Sequence, residues 1–139
     1  MIALEDKIAI GELVARFAHY SDFCDWDALA SLYVPDVETE MEGVEVRFRG
    51  IDEQIEHARI SAQQTDGKNR HFNFNLFISE EDGQVFANYM FMNVNAGDTP
   101  MAAKIVVSGR MRDTVAKTAD GWKIARRFVR FDQNVVVTE

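Results

Sequence analysis

The spacing of apolar residues changes once along the chain. From Leu4 to Asp22, Ile10, Leu13, Val14, Phe17 and Ala18 recur at steps of three and four, which puts them on one face of a predicted helix. Asp25 is placed to cap a second, short helix whose buried side is Trp26, Leu29, Ala30 and Tyr33, with Pro35-Asp36 as its stop. Val37 to Arg49 alternates around Glu42-Gly43 as two short strands, with Gly50 closing the hairpin. Asp52 to about Gln64 then returns to helical spacing through Ile55, Ala58, Arg59 and Ala62, with Asp52 as the expected cap.

After Asn69 the period becomes that of strands. Arg70–Ser79, Gln84–Asn95, Ala102–Thr118 and Trp122–Val137 are rich in Val, Ile, Phe and Tyr, and the turn-forming stretches 81–83, 96–100 and 119–121 separate them. Three helices in the N-terminal part, followed by an antiparallel meander, predict an α+β fold with the helices on one face of a curved sheet. The expected organisation is one domain over 1–139, since that length supports a full core and no linker or repeat interrupts it.

Two residues stand out chemically. Asp22 sits at the bend between the first two helices among Tyr20, Phe23, Trp26 and Tyr33, and a carboxylate crowded by apolar groups needs a hydrogen-bonding partner. His71, at the start of the first long strand, is the expected partner. In that strand His71, Asn73 and Asn75 share one face and Phe72, Phe74 and Leu76 the other. The first face is expected to line an interior and the second to meet another subunit, as a homo-oligomer, dimer or trimer. His19, Asp22 and His71 also form the ligand set of an alternative two-His, one-carboxylate metal site.

Charge and composition narrow the partners. A net charge of −8 repels phosphate backbones and anionic lipid, and the basic residues Lys123, Arg126, Arg127 and Arg130 divide between two strand faces, so neither nucleic acid nor membrane is expected. The start Met1–Asp6 lacks the basic and apolar regions of a secretory leader, and a lone cysteine, Cys24, fits a reducing compartment. The expected location is the cytoplasm.

The order Tyr20-x-Asp22-x-x-Asp25-Trp26-Asp27-Ala28-Leu29, preceded by Phe17, then Gly50 opening a helix, then Arg70-His71-x-x-x-Asn75, then Asp120-Gly121-Trp122-Lys123-Ile124-x-x-Arg127, resembles the SnoaL-like branch of the NTF2-like superfamily. The resemblance spans nearly the whole chain. It implies a cone, in which a strongly bent antiparallel sheet wraps around helices and a pocket opens at the wide end. That superfamily includes scytalone dehydratase, bile-acid dehydratases, a hexachlorocyclohexane dehydrochlorinase, polyketide cyclases, ketosteroid isomerase and the non-catalytic small subunits of ring-hydroxylating dioxygenases, so fold alone leaves function open.

The dehydratase and dehydrochlorinase relatives use an Asp at the end of the first helix and a His at the start of the first long strand as a catalytic pair. The resemblance carries those roles to Asp22 and His71. The implied activity is a cofactor-independent lyase of the dehydratase type, with His71 as acid/base and Asp22 orienting it, acting on a small, largely apolar, cyclic hydroxylated substrate. Phe17, Trp26 and Tyr33 are candidates for the substrate-binding wall, with Met90 and Met92 also available. Tyr20 is a candidate donor to the departing oxygen, Asn75 a neutral donor, and Arg127 the group that meets an anionic or leaving group. The alternatives are a non-catalytic ligand-binding protein, a small subunit of a ring-hydroxylating dioxygenase, or an isomerase or cyclase of the same fold.

Overall fold

The computed structural model describes residues 1–43 and 46–133. Helix α1 spans Leu4–Asp22 and buries Ile10, Leu13, Val14 and Phe17, the stripe that the apolar spacing predicts. Glu5 and Asp6 lie in its first turn, where the unpaired amides favour negative charge. Asp6 also accepts hydrogen bonds from Trp122 Nε1 at 2.9 Å and Lys117 Nζ at 3.0 Å. Together these bonds hold its carboxyl below the usual carboxylate range, the Trp122 bond most of all. They pin the start of α1 to the far end of the sheet.

Cys24, at φ 59°, reverses the chain after α1, and Asp25 caps α2 (Trp26–Ala30) by accepting from Ala28 N at 3.3 Å. Helix α2 is shorter than the sequence predicts. Tyr33 belongs instead to strand β1 (Tyr33–Met41), and Pro35 lies inside that strand rather than ending a helix. Proline is tolerated there because pairing is interrupted between Tyr33 and Glu38, so no ladder partner misses its N–H.

Strand β2 (Val46–Arg49) pairs antiparallel with β1, and residues 44–45 of the connecting turn lie outside the described residues. Helix α3 runs Gly50–Gln64. Its first turn is closed by Glu53, whose carboxylate accepts from Arg49 N at 2.7 Å, and not by Asp52. Only Gln54 of α3 is fully buried; Ile51, Ile55 and Ala58 pack partly against the core, so this helix is lightly seated.

The four long strands are β3 (Asn69–Glu81), β4 (Gln84–Asn95), β5 (Lys104–Thr118) and β6 (Gly121–Phe131). The predicted extension of the last strand toward Val137 lies outside the described residues from 134 onward. Among the described residues the sheet has six strands in the order β2-β1-β6-β5-β4-β3. The meander is antiparallel, as predicted, but β6 closes onto β1 in parallel, a pairing that local patterning does not announce. Helix α1 lies over β3, β4 and β6, while α3 lies over β1 and β2, and the space between them is not filled.

Gly109 shows how tightly the sheet side of the core is packed. It faces Phe91 on β4 and Phe131 on β6, whose rings meet edge to face at 5.8 Å. A Cβ there would lie 2.1 Å from the Arg130 carbonyl oxygen and 2.7 Å from the Phe91 ring. Gly109→Ala is therefore expected to destabilise the fold by about 1–3 kcal/mol through overpacking, read as a lower urea midpoint at unchanged slope.

Candidate active site

A cavity of about 590 Å³ lies between the sheet and the two long helices. The end of α1 and the start of β3 meet at its edge through one contact. Asp22, the last residue of α1, accepts from His71 backbone N at 2.8 Å and from His71 Nδ1 at 2.5 Å. The two residues are 49 apart in sequence, and the carboxylate is nearly buried, with 6% of its side chain exposed.

A helix C-terminus carries partial negative charge and offers a carboxylate nothing, so these two donors are what make a buried Asp22 tolerable. Because the carboxylate only accepts, Nδ1 must donate. In the neutral imidazole, Nε2 is then left with a free lone pair on the opposite edge of the ring. His71 borders the cavity. Phe17 packs against it edge to face, with centroids 5.4 Å apart, and fixes the plane of the ring.

The second polar centre lies on the floor. Arg127 donates from Nε and Nη2 to both oxygens of Asp113, at 2.8 and 2.9 Å, and from Nη2 to Tyr89 Oη at 3.1 Å. Tyr89 Oη in turn donates to Asp113 Oδ2 at 2.7 Å. Arg127 is 2% exposed and Asp113 is fully buried. Burial works hardest against the guanidinium charge, yet Asp113, Tyr89 and Tyr33 together offset it and hold Arg127 well above its ordinary pKa. Burial likewise pushes the Tyr33 hydroxyl up to about 12, so it stays protonated beside Gln54 and Arg127.

The Arg127 guanidinium also lies 3.8 Å from the centre of the Phe17 ring. One aromatic ring therefore touches both the imidazole and the guanidinium and sets how far apart they stand. Alternation along β6 alone would turn Arg127 away from Ile124. A register shift between Ile124 and Arg126 inserts Ala125 as an extra residue, and both Ile124 and Arg127 face inward while Arg126 bonds Glu40 outside.

Of the residues singled out in the sequence, His71, Phe17, Tyr33 and Arg127 border the cavity and Asp22 holds His71 from behind. Tyr20, Trp26 and Asn75 do not. Tyr20 turns back along α1 to accept from Arg16 at 3.3 Å, and Trp26 packs beside the core under the Arg59 guanidinium. Asn75 is displaced by a bulge: Asn75 and Leu76 together oppose Tyr89, Asn75 takes φ 56°, and its amide reaches Met90 Sδ on the outer face. Leu76 takes the inward place, close to Gly11 of α1, which also removes it from the outward set predicted with Phe72 and Phe74. Met90 is exposed outside, and Met92 does not border the cavity. His19 does not join Asp22 and His71, and among the described residues no three His, Cys, Asp or Glu side chains converge as a metal site.

Sequence reasoning missed Asp113, Tyr89, Asn93 and His57. Met111, Asp113 and Val115 fall on one strand face, so an acid amid inward apolar residues was the available signal. Asn93 stands across the ladder from His71. His57, from α3, stacks on Phe48 with centroids 4.1 Å apart and borders the cavity. Burial first, and the nearby His71 second, hold its pKa below the ordinary histidine value.

Residues 3–128 match the SnoaL-like domain, and the chain belongs to that family. No curated protein matches it. Among solved structures it is similar to Aln2 from a Streptomyces species, with 22% identity and a TM-score of 0.84, covering 95% of this chain and 94% of that one. It is similar also to a Nostoc punctiforme protein of unknown function with a cystatin-like fold, with 20% identity, a TM-score of 0.82 and 96% of both chains covered. A third is a candidate dehydratase of the NTF2-like family from Streptomyces avermitilis, with 15% identity, a TM-score of 0.76, and 91% and 96% covered. These likenesses establish an NTF2-like fold. No helix among the described residues is long and apolar enough to cross a membrane.

The floor cluster yields a direct test. Asp113→Ala leaves the buried Arg127 guanidinium without its counter-charge and is expected to cost about 3–5 kcal/mol. Chemical denaturation against the parent protein measures that loss, and a change below about 1 kcal/mol would contradict the assigned pairing.

Proposed function

We propose that the chain is a lyase of the dehydratase type in which the Asp22–His71 pair moves the proton. The observation that carries this reading is the doubly bonded contact between the two residues at the edge of a cavity that His71 borders. His71 Nε2 takes a proton from a carbon next to a carbonyl. The electrons of that C–H bond form a C=C bond as the neighbouring C–O bond breaks, and the departing hydroxide collects the proton and leaves as water. Asp22 holds the ring in the productive tautomer and steadies the imidazolium formed midway.

Arg127, held in place by Asp113, borders the same cavity and is the group assigned to meet the charge that gathers on the carbonyl oxygen. The cavity volume falls within the range usual for small-molecule sites, and its sheet side presents Met41, Phe91, Met111, Val129 and Phe131, which suits a small, largely apolar ring. The dehydratase description of one structural relative accords with this reading.

We propose in addition that copies of the chain associate through the outer face of β3 and β4, where Phe72, Phe74, Phe77 and Met90 are 41–64% exposed.

Cyclic β-hydroxy ketones are suitable trial substrates, with the conjugated product followed by its absorbance. The expected result is turnover by the parent protein and a loss of about 10²–10⁴-fold in kcat for His71→Ala and for Asp22→Asn, since general-base help is of that size. Asn keeps an acceptor for the His71 amide, so Asp22→Asn should remain folded. Unchanged kcat in both variants on a substrate that is turned over would refute the assigned roles. For self-association, light scattering is expected to give a multiple of 15.8 kDa for the parent and 15.8 kDa for Phe74→Glu. A monomeric parent would dispose of that proposal.

A further inference from the structure

The two walls of the cavity differ in chemistry. The sheet side combines apolar residues (Met41, Phe91, Met111, Val129, Phe131) with the polar groups already described around His71 and Arg127, whereas α3 turns Gln54, His57, Ser61 and Gln64, with Ala58 between them, toward the space. Those positions advance by three, four and three residues, so they form one stripe along the helix. This is opposite to what periodicity suggests for a helix on a core, where the inward stripe is apolar. Gln54 is already engaged, its Oε1 accepting from Thr39 Oγ1 at 2.7 Å. Among the described residues no side-chain hydrogen bond involves the His57 ring, the Ser61 hydroxyl or the Gln64 amide.

His57 and Ser61 are half-buried and Gln64 stands exposed at the rim; such groups on a pocket wall lose water when a ligand enters, and an apolar ligand face would leave them unpaired at a cost. A ligand that returns hydrogen bonds along this line is therefore selected over one that does not.

We propose that His57, Ser61 and Gln64 form a specificity subsite that recognises an oxygen function of the substrate other than the one on the carbon at which elimination occurs. The substrate class is then a ring compound with at least two oxygen functions: one at the reacting centre near His71, and another facing α3. This deepens the dehydratase reading and rests on it for the position of the reacting end. His57, Ser61 and Gln64 position the substrate and exchange no proton with the reacting atoms. The burial that keeps His57 uncharged near neutrality leaves its ring with one donor and one acceptor, which suits a hydroxyl or a carbonyl. Phe48 braces the ring from behind and limits its rotation.

Binding of two probes of equal shape, 2-naphthol and 2,6-dihydroxynaphthalene, measured by titration calorimetry, separates this proposal from the catalytic one. The parent is expected to bind the diol at least about tenfold more tightly, the factor that one well-placed hydrogen-bonding group supplies. In His57→Phe, which keeps the stack on Phe48, and in Ser61→Ala/Gln64→Leu, that preference is expected to drop below about threefold. His71→Ala is expected to retain it, because the subsite does not depend on the proton-transfer pair. Equal affinity of the parent for both probes, binding of neither, or a preference that survives in both variants overturns the subsite. Should His57→Phe not fold, the Ser61→Ala/Gln64→Leu variant decides alone. A preference lost in the α3 variants together with unimpaired turnover in His71→Ala would keep the subsite and reject the base.

Discussion

The carboxylate of Asp22 holds His71 by two atoms at once, the backbone amide and Nδ1. The backbone bond docks the end of α1 near the start of β3, and the side-chain bond sets the tautomer and direction of the ring. A single group thus couples the placement of two secondary structures to the state of a titratable one. The coupling holds because the carboxylate is nearly buried: in open water two such bonds would exchange freely with solvent, whereas at 6% exposure the loss of either leaves one carboxylate oxygen without a donor.

The sheet supplies what this contact needs around it. Phe17 reaches from α1 to touch both His71 and Arg127, and the Tyr89–Asp113–Arg127 cluster keeps a guanidinium charged where burial alone would not. The tight junction at Gly109, Phe91 and Phe131 closes the sheet side, so the unfilled volume lies between the sheet and the helices α1 and α3.

Much of this was legible in the sequence, for identifiable reasons. Helix α1 and strand β4 follow from periodicity with the bounds the pattern implies, because apolar and aromatic residues dominate their buried faces. The Asp22–His71 contact follows from an acid stranded among aromatic residues, joined to the resemblance to a known family. What could not be read depends on single-residue insertions. The bulge at Asn75 and Leu76 exchanges an expected donor for a leucine, and the one at Ala125 brings Arg127 inward; alternation has no means of registering either. The parallel closure of β6 onto β1 is equally silent, being a matter of topology rather than of local preference. The polar face of α3 is a different case. Its spacing was visible, but a stripe of Gln, His, Ser and Gln reads as solvent-facing until the hollow beside it is known.

Helix α3 contributes one fully buried side chain, while the core is built by α1 and the sheet. If His57, Ser61 and Gln64 select the ligand as proposed, replacing them changes what the chamber prefers and leaves the buried Gln54 in place, whereas similar changes to the sheet wall would disturb packing everywhere. Selectivity in such a chain is free to drift while its chemistry stays fixed, a division of labour by which one scaffold can serve successive ligands over evolutionary time.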